Sequence, residues 1–319
     1  MKSTPNNVKT ALVLPGGGAR GAFQAGVLKA LAELLPRDRP NPFPVISGTS
    51  AGAVNSAVLA SRAHHFRSAV AELERVWGHF HCNQVYRTDS WTMLKSSAHW
   101  MSSLVLGGWL VGTPKSLLDN TPLRKLLSSN LHLPRIRDAI DNGCLEAVAV
   151  TAAGYSSARS TTFFEAGQDQ EGWERTRRLG KPVELNLDHL MASIAVPMVF
   201  PPVRIGREFF GDGAMRQATP LSPVVHLGAD RILVIGIRDE TGDKEPEAPE
   251  GPPSFGQIAG YMLDALFMDG LYSDLERITR INELLDSQPD ATLDIGDKTM
   301  RPIDTMLIVP SEDLRELAY

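Results

Sequence analysis

Val45-Ile46-Ser47-Gly48-Thr49-Ser50-Ala51-Gly52-Ala53-Val54-Asn55 (residues 45–55) passes from an apolar run, through small residues, into a helix-forming sequence. Its centre, Gly48-Thr49-Ser50-Ala51-Gly52, has the spacing G-x-S-x-G. Between a strand and a helix, that spacing holds a serine on a tight turn. Its Oγ is exposed, and the flanking glycines let neighbouring backbone crowd in. The same residues also suit an ordinary N-cap serine, because serine is favoured at that position. The surrounding sequence has to decide between a nucleophile and a cap.

One strand earlier, "KTALVLP" (9–15) reads as a short buried strand. It runs into the glycine turn "PGGGARG" (15–21), and "AFQAGVLKALAELL" (22–35) then carries apolar residues at helical spacing. Strand, helix, strand, helix predicts a parallel sheet covered by helices. Gly16, Gly18 and Gly21 match the dinucleotide pattern G-x-G-x-x-G. That reading also needs an acidic residue at the end of the second strand. Ser47, Gly48, Thr49 and Ser50 stand there instead, and Asp38 precedes the strand in a proline-rich loop. The alternative uses both turns: glycines at a helix start aim several backbone N–H groups the same way, and such a cluster stabilises an anion. An anion cradle beside Ser50 favours the nucleophile.

A nucleophilic serine needs a base. None of the eight histidines is well placed: His64 and His65 end the helix that Ser50 opens, and His189 and His226 fall inside predicted helices. Asp212, in "FFGDGAM", is the stronger candidate. Gly211 and Gly213 flank it, and Phe209 and Phe210 precede it. Partial desolvation raises a carboxylate's pKa and makes it a stronger base. The competing reading is an Asp-Gly turn residue.

Together these pieces resemble the patatin-like phospholipase family, whose pattern is a G-G-G-x-R-G turn, a G-x-S-x-G elbow and a later D-G-[AG]. Here they are Gly16-Gly17-Gly18-Ala19-Arg20-Gly21, Gly48-Thr49-Ser50-Ala51-Gly52 and Asp212-Gly213-Ala214. The stretch "ASIAVPMVFPPV" (192–203) also looks like the family's segment before the aspartate. The resemblance implies a Ser50–Asp212 dyad without histidine, and an oxyanion hole from the N–H groups of Gly17, Gly18 and Ala19. It implies an acyl-enzyme intermediate on lipid esters, phospholipids or lysophospholipids, and no metal or other cofactor. Arg20 would steady the turn or meet a lipid phosphate. The fold implied is an α/β three-layer sandwich with a central, mostly parallel sheet flanked by helices. Small esters or thioesters, and a silent lipid-binding role, are the competing functions.

The 319 residues suffice for one large domain or at most two. The expected organisation is a catalytic domain over 9–237, a proline- and charge-rich loop over 238–255, and a helical extension over 256–319. That extension contains a long helix with an apolar stripe of Leu263, Phe267, Leu271, Leu275, Ile278, Ile281 and Leu285, suited to packing on the domain or to a homodimer. Three of the five tryptophans, Trp91, Trp100 and Trp109, lie within 90–118. The stretch 90–118 is expected to pack as core or at a dimer contact, or to form a lid or interfacial surface that meets lipid, with peripheral membrane contact through 90–112. A net charge of −5 argues against nucleic acid as a partner. Cys82 and Cys144 form no disulfide framework, which fits a reducing, cytoplasmic setting. No run approaches the ~18 apolar residues of a membrane span.

Overall fold

A computed structural model of the chain describes residues 8–79, 81–87, 116–217, 219–238, 251–287, 294–295 and 298–314. The tryptophans of 90–112 and most of the loop over 238–255 lie outside the described residues.

The anticipated alternation begins the fold: β1 (Thr10–Leu14), α1 (Gly21–Leu34), β2 (Val45–Thr49), α2 (Ala51–Ser61) and α3 (Phe66–Gly78). Then come helices Cys82–Val85, Thr121–Asn130 and Arg135–Asp141, and the strands β3 (Ala147–Gly154) and β4 (Ser160–Ala166). The pair β5 (Trp173–Arg175) and β6 (Arg178–Pro182) was not anticipated, because both strands are short and largely polar. Helix Leu187–Ser193, the hairpin β7 (Val203–Ile205) and β8 (Glu208–Asp212), helix Ser222–His226 and β9 (Arg231–Ile235) follow. The C-terminal part supplies the long helix Phe255–Ser287, the small pair β10 (Asp294–Ile295) and β11 (Lys298–Thr299), and β12 (Asp304–Ile308).

The strands form an open mixed sheet in the order β12-β9-β1-β2-β3-β4-β6-β5. From β12 to β3 every neighbour is parallel. Beyond β3 antiparallel pairing enters, through β3–β4 and β5–β6. Strand β12 widens the sheet beside β9, so the extension contributes a strand to the same sheet as residues 9–237.

Side chains alternate across each strand, and each face has its own core. Leu12, Leu14, Ile46, Val148 and Val150 join α1, α2, α3 and Arg135–Asp141 on one face. On the other, Ala11, Val13, Val45 and Ala149 meet Leu221 and Val224, with Leu271 and Ile278 of the long helix. Leu271, Leu275 and Ile278 of the long helix's stripe therefore pack on the sheet of their own chain. This is the helix–sheet–helix sandwich expected.

One feature of β3 positions everything that follows. Along one edge β3 pairs with β4, and along the other it pairs first with β2, up to Thr49↔Thr151. Beyond that point β8 takes the place of β2, antiparallel, beginning at Ala152↔Asp212. Strands β2 and β8 thus lie end to end against a single edge.

Candidate active site

The junction of β2 and β8 brings Ser50 and Asp212 together. Thr151 and Ala152 are neighbours on β3, about 3.3 Å apart along the strand. Their partners, Thr49 and Asp212, therefore meet at the carboxyl end of the parallel strands, where open α/β sheets place ligands.

Ser50 stands between β2 and α2 with φ 55° and ψ −127°, a left-handed conformation uncommon for a side-chain-bearing residue. Strain of this kind persists only where its surroundings enforce it. Tight backbone packing is one enforcer: a Cβ on Gly52 would lie 1.9 Å from the Leu14 carbonyl oxygen. A second is a hydrogen bond from the Ser50 N–H to Ser193 Oγ, 2.9 Å away. Ser193 is fully buried, and its hydroxyl also donates to the Thr151 carbonyl at 2.7 Å. No side-chain capping bond comes from Ser50 itself, so the cap reading gains no support.

Asp212 ends β8 and is 1% exposed. Its N–H donates to the Ala195 carbonyl at 2.8 Å, and its Oδ1 accepts from the Ala214 N–H at 2.9 Å. Gly213 and Ala214 open the short turn that follows. Burial drives the carboxyl pKa up to about 7, against the smaller opposing pull of hydrogen bonding from the Ser50 hydroxyl and the Ala214 N–H. Oδ2 makes no hydrogen bond of full geometry, so the contact with Ser50 is loose in the resting site. Loose catalytic hydrogen bonds are usual before substrate binds.

The glycine turn lies beside the elbow. Gly16 and Gly17 leave β1, and Gly18–Arg20 forms a single 3-10 turn that leads into α1 at Gly21. Gly18 has φ +57°. The first N–H groups of such a turn have no partner within it and point outward. Gly18 and Ala19 line the same cavity as Ser50, whereas Gly17 packs closely on Ile237.

That cavity has a volume of about 430 Å³. Ser50, Val54, Val58 and Ser61 mark one face of α2 along it, and Leu73, Trp77, Leu123, Leu127, Ile194 and Phe200 close it from other elements. The eleven-residue helix spans ~16 Å. The cavity is thus an apolar slot leading away from Ser50, closed toward its far end by the ion-paired Arg62 and Glu72.

His189 is buried and its pKa falls to about 4, chiefly through desolvation. Its ring accepts the Asn186 N–H at the start of its helix and packs on Phe163, so it is committed to structure. His64 contacts Cys144 at 3.3 Å. Among the described residues no three His, Cys, Asp or Glu side chains converge as metal ligands do, and no helix is long and apolar enough to cross a membrane.

Ser193 and Ala195 were not anticipated as site residues. The stretch 192–203 was legible as part of the resemblance, but a lone serine there carries no signal of its contact with Ser50. The polar set Thr49, Gln217, Thr151 and Thr162 behind the elbow was equally hidden: Thr49 bonds Gln217, which reaches Thr151 at 3.3 Å, and Thr151 reaches Thr162 at 3.1 Å.

Comparison with known proteins fits this geometry. A family model described as patatin-like phospholipase matches residues 12–225. A cGAMP-activated phospholipase of Pseudomonas aeruginosa (strain BWHPSA011 / Pa011) is 30% identical over 212 residues, covering 66% of this chain and 53% of that protein. An uncharacterized NTE family protein of Mycobacterium tuberculosis (strain ATCC 25618 / H37Rv) is 24% identical over 246 residues, covering 75% and 52% respectively. The chain thus spans about half the length of these relatives. Among solved structures, VipD from Legionella pneumophila matches 95% of this chain and 61% of its own, at 15% identity and a TM-score of 0.42. By the family model's span of residues 12–225, the chain belongs to the patatin-like phospholipase family.

Proposed function

We propose that the protein is a serine acyl hydrolase of lipid carboxylic esters, with phospholipids or lysophospholipids as the substrate class. One observation carries this reading: Asp212, desolvated to a pKa of about 7, lies beside a strained Ser50 at the mouth of a long apolar slot. A base with a pKa near neutrality combines a substantial deprotonated fraction with useful proton affinity.

In this mechanism the acyl chain lies in the slot and its ester carbonyl rests over Ser50. Asp212 Oδ2 takes the Ser50 proton as Oγ attacks the carbonyl carbon. The resulting oxyanion is held by the outward N–H groups of the glycine turn, with Gly18 and Ala19 nearest the cavity and Gly17 behind them. Collapse expels the alcohol, which receives the proton from Asp212, and leaves Ser50 acylated. Water then attacks the acyl-enzyme, with Asp212 again as base, and releases the fatty acid. Gly16, Arg20 and Gly21 shape the glycine turn, Gly48 and Gly52 the elbow, and Gly213 the turn after Asp212. The family assignment and the names of the relatives agree with lipid ester chemistry.

The test is hydrolysis of p-nitrophenyl esters and of lysophospholipid by wild type, Ser50→Ala and Asp212→Asn. Activity on acyl esters that both substitutions abolish supports the dyad. An inert wild type, or an active Ser50→Ala, refutes it.

A further inference from the structure

Behind the glycine turn lies a hydrogen-bond chain that the mechanism above does not use. Gln24 on α1 and Asn55 on α2 are both 0% exposed. The Gln24 amide nitrogen donates to the carbonyl of Pro15 at 2.9 Å and to that of Ile235 at 3.2 Å. The Asn55 amide nitrogen donates to the carbonyl of Gly21 at 3.1 Å and to Gln24 Oε1 at 2.9 Å. Pro15 and Gly21 bracket the turn, so two amides hold both of its ends.

The remaining acceptor is Asn55 Oδ1, which receives the Trp77 indole N–H at 2.9 Å. Trp77 comes from α3 and lines the apolar slot. Its ring also packs against Gly21, where an added Cβ would meet it at 3.0 Å.

This chain has a single possible polarity. An indole only donates, so Asn55 must present its oxygen to Trp77 and its nitrogen to Gln24 and Gly21. Gln24 must then accept with Oε1 and aim its nitrogen at the two carbonyls. Every N–H of the two amides is used, and each amide oxygen accepts one hydrogen bond. Removing the indole N–H leaves a buried acceptor unpaired and frees Asn55 to turn over.

From this we propose that Trp77 is a positioning residue. Its N–H sets the glycine turn through Asn55 and Gln24, and so couples the wall of the acyl slot to the turn that faces Ser50. An acyl chain packed on the indole excludes water from the Trp77–Asn55 bond and holds the turn in its working shape. The inference rests on the hydrolase reading for its catalytic consequence, but not for its structural one.

Two measurements on Trp77→Phe separate these. The substitution keeps an aromatic wall and deletes the N–H. Hydrogen exchange of the peptide spanning 12–24 reads the turn without any substrate. Ester kinetics on an acetyl and a long-chain substrate read catalysis. The expected result is faster exchange in that peptide and a ~10-fold fall in kcat on both esters with little change in KM, the scale of a small misplacement of catalytic groups. Asn55→Asp, which keeps the acceptor for Trp77 but offers no donor to Gly21, is expected to reproduce both effects with the wall intact. Leu34→Ala, an exposed α1 residue outside both the chain and the slot, is the control and leaves exchange and both ester rates unchanged. Unchanged exchange, or a Trp77→Phe effect confined to KM for the long ester, overturns the proposal and leaves Trp77 as wall only. Faster exchange in a protein whose wild type cleaves no ester supports the clamp and refutes the hydrolase reading instead.

Discussion

Ser193 Oγ lies 2.9 Å from the backbone nitrogen of Ser50, on a side chain with no access to solvent. The same short segment also holds Asp212, because Ala195 accepts the Asp212 N–H at 2.8 Å. Residues 193–195 therefore act as a spacer between Ser50 and Asp212. Ser193→Ala removes the acceptor for a strained residue and leaves the Thr151 carbonyl without its donor. Its expected effect is a fall in kcat of ~10- to 100-fold, with KM nearly unchanged. Steady-state kinetics, together with the labelling rate of Ser50 by a small fluorophosphonate, check this. An unchanged labelling rate would show that Ser193 does not set the elbow.

In the proposed mechanism Asp212 acts as base and must be ionised, so kcat/KM is expected to rise about tenfold per pH unit at acidic pH and to level off above about 7. A plateau reached already near pH 5 would mean that Asp212 is not the titrating base. The profile is measured on a soluble ester, away from effects of lipid surfaces.

Stability is expected to move against activity at this residue. The folded pKa of Asp212 lies above its unfolded value of about 3.8. Its contribution is therefore fully present below about pH 4 and is lost as pH rises through about 7. At pH 8 the buried carboxylate is charged and costs stability. Asp212→Asn is expected to melt higher than wild type at pH 8 and to show little gain at pH 4, while lacking activity. Thermal unfolding at the two pH values decides it.

Chain-length preference is expected to lie in the slot. Val58 is two turns along α2 from Ser50, on the face that borders the cavity. Val58→Phe fills the slot at that depth, at a stability cost of ~1–3 kcal/mol if the core cannot yield. The expected result is at least a tenfold loss of kcat/KM on long-chain esters and retained activity on acetyl and butyryl esters. Equal losses at all lengths would place the acyl chain elsewhere.

Asp274 anchors the long C-terminal helix to the loop after Asp212. It is 6% exposed and accepts the Leu221 N–H at 2.9 Å, and desolvation raises its pKa. Asp274→Ala leaves a buried N–H unpaired and is expected to cost ~1–3 kcal/mol. Denaturant unfolding measures this, and a variant as stable as wild type would show that the anchor is dispensable.

Much of this was legible from spacing alone. The first two strand–helix units and the long helix come from strong local patterns: apolar runs, glycine turns and helical periodicity. The two turns pointed to Ser50 and to the anion cradle because glycine spacing there serves backbone geometry. What stayed hidden depends on pairing between distant segments. Nothing in residues 208–212 says that β8 continues the line of β2, and nothing in residues 304–308 says that they join β9. The contacts of Ser193, Gln24 and Asn55 were out of reach for the same reason. Each is a common polar residue on a helix, and its partner is set only when the sheet has formed.

The shared edge of β3 has a consequence for how such a chain can change over generations. Strands β2 and β8 fill one edge end to end, so the room between them is fixed by residue count. A one-residue slip of β8 puts Gly211 or Gly213 opposite Ala152 and turns the Asp212 carboxylate to the other side of the sheet. Insertions and deletions are therefore closed to both strands up to the point where they meet. Length can vary at the β7–β8 hairpin tip, near 206–207, where an added residue leaves the pairing of β8 with β3 in place. Point changes along the slot remain open. Lineages of this fold can diversify what they accept by substitution, but not by lengthening the strands that carry the chemistry.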